Sequence, residues 1–346
     1  MGKNFNKRRG RDPRRPAPRG SLARCLSGLN YYLGKYNRLD RYQGRLISHE
    51  TRIQRANVLE AGFRWLNAQN YRLNHPRGFR GKHFIALLED WLDRGLAPST
   101  IATRISIYRT FCEWINKPSL VDSVFARFKE LAERVRVATR RTTVATEDHS
   151  WEGNDVDPTA IIARVAESEM AVAVQMALQH AFGLRVQESM LLRPYLADQG
   201  CELVVLWGTK GGRPRRVSIE TDYQRQVLAA AKDLAPHPKA STIPSDYDLR
   251  AWRYHYYYVV RKHGISRKEL KVVSHGLRHG FAHRRYRELS WYRPQVTCRN
   301  GPTPPRKVDN AARLTVAHEL GHGRKQITNC YLGSSRGTSK VQNIRE

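Results

Sequence analysis

The chain has 346 residues, 40 % of them hydrophobic, which suits two domains of ~100–200 residues each and is too many for a wholly disordered polymer. Lys and Arg number 61 against 31 Asp and Glu, a formal net charge of +30, so a folded chain of this kind is built to face a polyanion, either nucleic acid or an anionic membrane. A membrane span is excluded because no apolar run approaches ~18–20 residues, and the richest stretch, Ala171 to Leu184, is broken by Gln175, Gln179 and His180. The charged N-terminus has no apolar segment behind it, so no secretory signal is expected. Cys25, Cys112, Cys201, Cys298 and Cys330 are scattered and form no Cys-x-x-Cys pair. That pattern points to reduced thiols in a cytoplasm rather than to a disulfide scaffold or a cysteine zinc site.

Residues 1–44 open with a basic, Gly- and Pro-interleaved stretch and read as a flexible arm suited to lie along phosphates. From 45 to 135 apolar residues recur at helical spacing. Ile53, Ala56, Leu59, Phe63 and Leu66 form one stripe, and Phe84, Leu87, Leu88, Trp91 and Leu92 a second. Pro98-Ser99-Thr100 marks a helix start for a third stripe, Ile101, Ile105, Tyr108, Cys112 and Ile115. Val121, Val124, Phe128 and Leu131 form a fourth. Residues 136–157 lose this periodicity and read as an interdomain linker. The second domain, 158–335, is helical around one hairpin, with Leu203–Trp207 and Arg216–Ile219 as strands and Lys210-Gly211-Gly212 as the turn. Further helices are expected near 221–234, 246–263, 275–289, 311–320 and 325–332, a Pro- and Arg-rich loop at 293–308, and a short tail at 336–346.

Several polar residues carry bland readings when taken singly. Arg185 and Glu188, three apart, make an ordinary intrahelical ion pair, and Lys210 a solvated turn residue. His275 and His279 can be a cap and a core histidine, and Leu320-Gly321-His322 followed nine residues later by Tyr331 a turn and a packed aromatic. The ordered set is another matter. Gly183-Leu184-Arg185-x-x-Glu188, then Lys210 at a hairpin turn, then His275-x-Leu277-Arg278-His279, then Leu320-Gly321-His322 with Tyr331, resembles the tyrosine recombinase (phage integrase) family. The segment from Pro98 to Trp114 is similar to that family's helical core-binding domain, and the likeness spans roughly residues 45–335.

The resemblance implies a mainly α fold with a small β-hairpin: a helical core-binding domain plus a mixed α/β catalytic domain, closing on DNA as a clamp. It implies a site-specific recombinase, an enzyme that cuts and rejoins DNA strands through a 3′-phosphotyrosine and integrates or excises a mobile element. Tyr331 would be the nucleophile, Arg185 and Arg278 the clamp on the non-bridging oxygens, and Lys210 the acid for the leaving 5′ oxygen. His275 would handle the phenol proton and His322 donate to phosphate, with Glu188 and His279 supporting from behind. Two guanidinium forks suit a phosphorane better than ammonium groups do, and they fill the role that Mg²⁺ takes elsewhere, so neither metal nor cofactor is expected. Arg104 and Arg109 in the helical domain and Arg213, Arg215 and Arg216 on the hairpin are the expected DNA contacts. Double-stranded target sites, a homotetramer on two sites, and a cytoplasmic, nucleoid-associated location complete the expectation, with no membrane involved.

Two features depart from the family's pattern: Phe182 stands where a small hydroxyl residue is usual, and the interval from Arg278 to His322 is long, with a Trp/Arg/Pro-rich stretch at 291–308. One rival motif exists. His318-Glu319-Leu320-Gly321-His322 formally matches the His-Glu-x-x-His zinc peptidase pattern, but Lys325 and Thr328 stand where a zincin pattern wants Gly and a third ligand, and only Glu346 follows as an acid. A catalytically silent DNA-binding protein of the same fold is the other alternative, against which stands the completeness of the constellation.

Overall fold

The computed structural model describes residues 20–39, 46–141, 143–298 and 301–334, which divide into two units, one ending at Arg141 and the other starting at Thr142. Among the described residues six α-helices build the first: α1 (Ser21–Tyr36), α2 (His49–Ala68), α3 (Gly81–Asp93), α4 (Pro98–Trp114), α5 (Leu120–Arg127) and α6 (Lys129–Ala138). Ser48 caps α2 by accepting a hydrogen bond from Thr51 N at 3.2 Å, and Pro98 opens α4 where its missing N–H costs nothing. The apolar stripes converge as their spacing dictates. Leu59, Phe63, Leu66, Phe84, Leu87, Leu88, Trp91, Ile101, Ile105, Tyr108, Phe111 and Val121 are all buried in one cluster. The fourth stripe breaks at Phe128, which is exposed between α5 and α6.

The expected arm requires a correction. Residues 21–36 are a helix whose Cys25, Leu29 and Tyr32, spaced four and three apart, are buried in this core. The more basic residues 1–19, and 40–45, lie outside the described residues.

The second unit contains α7 (Pro158–Ala166), α8 (Met170–Phe182), α9 (Val186–Leu191), α10 (Pro194–Ala197), the strands β1 (Glu202–Val205) and β2 (Arg215–Ser218), and α11 (Asp222–Leu234), α12 (Leu249–Lys262), α13 (His275–Ser290), α14 (Arg306–Glu319) and α15 (Asn329–Leu332). β1 and β2 pair antiparallel, with Glu202 opposite Ser218 and Val205 opposite Arg215, which sets Lys210 at the tip between them. Helix α8 is the axis of the unit, packed by α7, α11 and α13 and buried from Val172 to Phe182. Its polar residues are matched: Gln175 Nε2 donates to Thr242 O at 2.9 Å and Gln175 Oε1 accepts from Trp252 Nε1 at 2.9 Å, while Gln179 Nε2 donates to Tyr256 Oη at 2.8 Å. Phe182 is fully buried in the same core.

The division between the two units falls inside the stretch 136–157 read as a linker, but its described residues are not a loose tether. Helix α6 runs to Ala138, and residues 143–157 form a strap packed on the second unit. Trp151 is fully buried against Trp252, Tyr256 and Leu277, with its Nε1 donating to Val273 O at 2.9 Å. A polar, aperiodic stretch hid this because one large side chain and backbone hydrogen bonds hold it. The tail 336–346 lies outside the described residues. Among the described residues no helix is long and apolar enough to cross a membrane.

Candidate active site

The site is assembled around a buried carboxylate. Gly183 ends α8 in the left-handed region (φ 59°), where an added Cβ would come within 2.5 Å of the Phe281 ring. That turn makes Arg185 the residue capping α9, and Glu188 reaches back to accept from Arg185 N at 2.7 Å and from Arg185 Nη1 at 2.6 Å. Glu188 is wholly buried, yet it also accepts from Arg215 Nη2 at 2.7 Å and lies 3.8 Å from Arg278 Nη1. Burial pushes its carboxyl up, but Arg215 and Arg185 outweigh that and hold it below the usual carboxylate range.

Arg215, expected among the DNA contacts, is therefore something else. It is buried, and besides Glu188 it donates to Glu319 O and to Gly183 O. The alternation along β2 carries the signal that sequence reasoning missed, since Arg215 shares the inward face of Val217 while Arg216 points outward.

Arg278 lies in the first turn of α13 and is completely buried. Its Nη1 donates to Gly183 O at 2.5 Å, its Nη2 to Leu320 O, and its Nε to Tyr331 Oη at 3.3 Å. Burial lowers its pKa to about 10, which leaves it cationic at neutral pH. The other side of the phenol is His322. Helix α14 stops at Glu319, and Gly321 (φ 70°), whose Cβ would come within 2.8 Å of Arg215 Cδ, turns the chain so that His322 Nε2 lies 3.4 Å from Tyr331 Oη. The His279 ring packs against the Tyr331 ring at 4.8 Å, with His275 at 6.4 Å. Burial, then the field of Arg278 and Arg185, pushes His275 and His322 down to about 4, and burial with its histidine neighbours takes His279 to about 3. All three rings are neutral at pH 7, so His275 is able to accept a proton. Arg185 is the accessible guanidinium, with 22 % of its side chain exposed.

Lys210 is exposed at the hairpin tip, near enough to His322 to contribute to lowering its proton affinity. Beside it is a cleft of 460 Å³ lined by Arg213, Arg216, His318 and His322. The remaining expected DNA contacts divide by availability. Arg213 is exposed on that cleft, whereas Arg216 pairs with Glu202 at 2.7 Å. In the first unit Arg104 stacks over the Trp91 ring at 5.3 Å, and Arg109 pairs with Asp122 at 2.9 Å.

The geometry opposes the zinc peptidase motif. Gly321 breaks the helix between the two histidines, His318 is exposed, and His322 turns toward Tyr331. Glu319, the would-be base, is held by Arg285 Nε at 3.0 Å. The arrangement instead offers a phenol, two guanidiniums, neutral imidazoles and an exposed ammonium at the hairpin tip, groups suited to phosphoryl transfer to a tyrosine.

Residues 143–283 match the integrase family. The fold is similar to that of a lambda integrase dimer bound to a COC′ core site (TM-score 0.50, 17 % identity, 89 % of this chain and 78 % of that one). It is also similar to a Tn1549 transposon integrase in complex with transposon right end DNA (TM-score 0.52, 12 % identity, 91 % of this chain and 98 % of that one). No curated protein matches the chain.

Proposed function

We propose, on the premise that this chain is a tyrosine recombinase of the integrase family, that it cuts and rejoins DNA at specific sites through a covalent 3′-phosphotyrosine at Tyr331. The observation that carries the reading is the convergence of His275 and Arg278 from α13 and of His322 from beyond α14 on the one Tyr331 phenol, with Arg185 held beside them through Leu320 O, to which Arg278 also donates.

Tyr331 Oη attacks the scissile phosphorus, and the bond from phosphorus to the 5′ oxygen breaks. His275 takes the phenol proton, Lys210 protonates the departing oxygen, and the 5′-hydroxyl of a second strand later reverses the exchange. Charge developing on the non-bridging oxygens is met by Arg185, Arg278 and His322. Tyr331 Oη rests on Arg278 Nε and His322 Nε2 at 3.3 and 3.4 Å, long contacts that an incoming phosphate oxygen displaces as the phenol turns toward phosphorus. Glu188 positions Arg185, and Arg215 neutralises Glu188 from the other side.

The substrate is duplex DNA, bound with a steep salt dependence by a chain of charge +30. The lambda integrase relative is a dimer on its core site, and a homotetramer on two sites is the assembly that the motif resemblance implies for this chain. Its place is the nucleoid of the cytoplasm, and its role the integration and excision of a mobile element. Wild-type and Tyr331→Phe protein, incubated in EDTA with nicked suicide substrates, test the reaction. A covalent protein–DNA band from wild type alone is the expected result, and its absence from wild type that binds the same DNA contradicts the reading.

A further inference from the structure

The segment that carries the nucleophile is a helix of only four residues, too short to satisfy its own terminal carbonyls. Besides the local bond from Gly333 N to Asn329 O, four different elements bond to carbonyls of residues 329–333. Asn329 O accepts from Ala145 N of the strap at 2.8 Å, and Tyr331 O from His283 Nε2 of α13 at 2.8 Å. Leu332 O accepts from Val296 N, in the long interval between Arg278 and His322, at 3.0 Å. Gly333 O accepts from Arg313 Nη2 of α14 at 3.1 Å. Each of these partners is itself anchored. Asp148 Oδ1 lies 3.6 Å from His283 Nδ1 and accepts from Ser150 N at 2.8 Å, next to the buried Trp151, while Arg313 pairs with Asp309 at 2.8 Å. Val296 is buried. The backbone of the segment is thus fixed on several sides, while the hydroxyl of the phenol it carries rests, among the described residues, on the long contacts to Arg278 and His322.

From this contrast we propose that the strap, His283 and the loop at Val296 form a clasp that fixes the Tyr331 backbone as a pivot in cis, with His283 as its central positioning residue. The clasp gives a task to two stretches outside the reaction itself: the strap before α7 and the insertion after α13. A carbonyl can only accept, so His283 presents Nε2–H to Tyr331 O, a role that glutamine can reproduce and alanine cannot. Holding the pivot matters because a displacement of about 1 Å at a reacting group lowers rate by about 10²-fold.

The proposal rests on the recombinase reading for its effect on cleavage, and its test separates the two. Hydrogen exchange in the full chain, without DNA, is followed in the peptide 326–336 for wild type, His283→Ala, His283→Gln, Ala145→Pro and Val296→Pro. First-turnover cleavage of a nicked substrate and DNA affinity are measured beside it. The clasp predicts that exchange of this peptide rises about tenfold or more in His283→Ala and in at least one proline variant, with α8 protection unchanged. It predicts cleavage lowered about 10–100-fold at wild-type DNA affinity, and recovery of both in His283→Gln. Unchanged exchange in all variants overturns the clasp, whatever the DNA result. Raised exchange with wild-type cleavage overturns its positioning role. A wild type that never forms the covalent product refutes the recombinase reading, and the exchange data then still decide whether the clasp exists.

Discussion

The two units bury their central residues by opposite means. In the first, Phe63, Phe79, Tyr108 and Phe111 meet edge-on or stacked, and the interior is apolar and aromatic. In the second, an apolar shell surrounds Glu188, Arg215 and Arg278, three charged side chains with almost no exposure. The first arrangement tolerates imprecision, because dispersion and burial have no direction. The second holds only if every donor finds its acceptor, and the reward is a set of guanidiniums held at fixed positions around Glu188 and Tyr331.

Substitutions sharpen this contrast. The largest effect is expected at Arg278→Lys, which removes the fork that serves Gly183 O, Leu320 O and Tyr331. First-turnover cleavage should fall about 10²–10³-fold, against a much smaller change in DNA affinity by gel shift. Next is Glu188→Gln, which strands Arg215 beside Arg185. Urea unfolding should show a loss of about 3–5 kcal/mol assigned to the second unit. In the first unit Leu87→Ala should cost about 2–5 kcal/mol by the same assay through the cavity it leaves, with the cleavage rate of the folded enzyme retained. At the small end, Arg216→Ala breaks an exposed pair with Glu202 and should change stability by about 0–1 kcal/mol. An Arg216→Ala effect as large as that of Glu188→Gln would dissolve the distinction between buried and exposed charge drawn above.

Acidification acts on one unit in particular. His275 and His322 have folded pKa values of about 4 and His279 about 3, below the ~6.5 of an unfolded histidine. The unfolded chain therefore binds more protons, and the stability these rings contribute is complete above about pH 6.5 and is lost as pH falls toward about 4. Thermal melts between pH 7 and 5 should show the second unit weakening, and His279→Gln should flatten its slope.

The same contrast explains what was legible in the sequence. Helical periodicity located α2 to α4, and two short apolar runs around Lys210-Gly211-Gly212 located the hairpin, because burial and turns are written in local sequence. It also ran through Cys25, Leu29 and Tyr32, where a strongly basic neighbourhood obscured a helix. The ordered motif marked Arg185, Lys210, His275, Arg278, His322 and Tyr331, and the structure brings Arg278, His275 and His322 to the Tyr331 ring, with Arg185 beside them through Glu188 and Leu320 O. Arg215 and the strap were not legible as what they are. Their roles depend on contacts across long sequence separations, such as Arg215 to Glu319 O and Ala145 to Asn329 O, which leave no local period.

The central claim is that Tyr331 forms the bond to DNA. The direct measurement is mass spectrometry of the DNA-linked tryptic peptide trapped on a nicked substrate in EDTA. The peptide 326–336 contains a single tyrosine, and the account predicts the nucleotide adduct on Tyr331. An adduct on any other residue, or strand cleavage with no adduct at all, would contradict it.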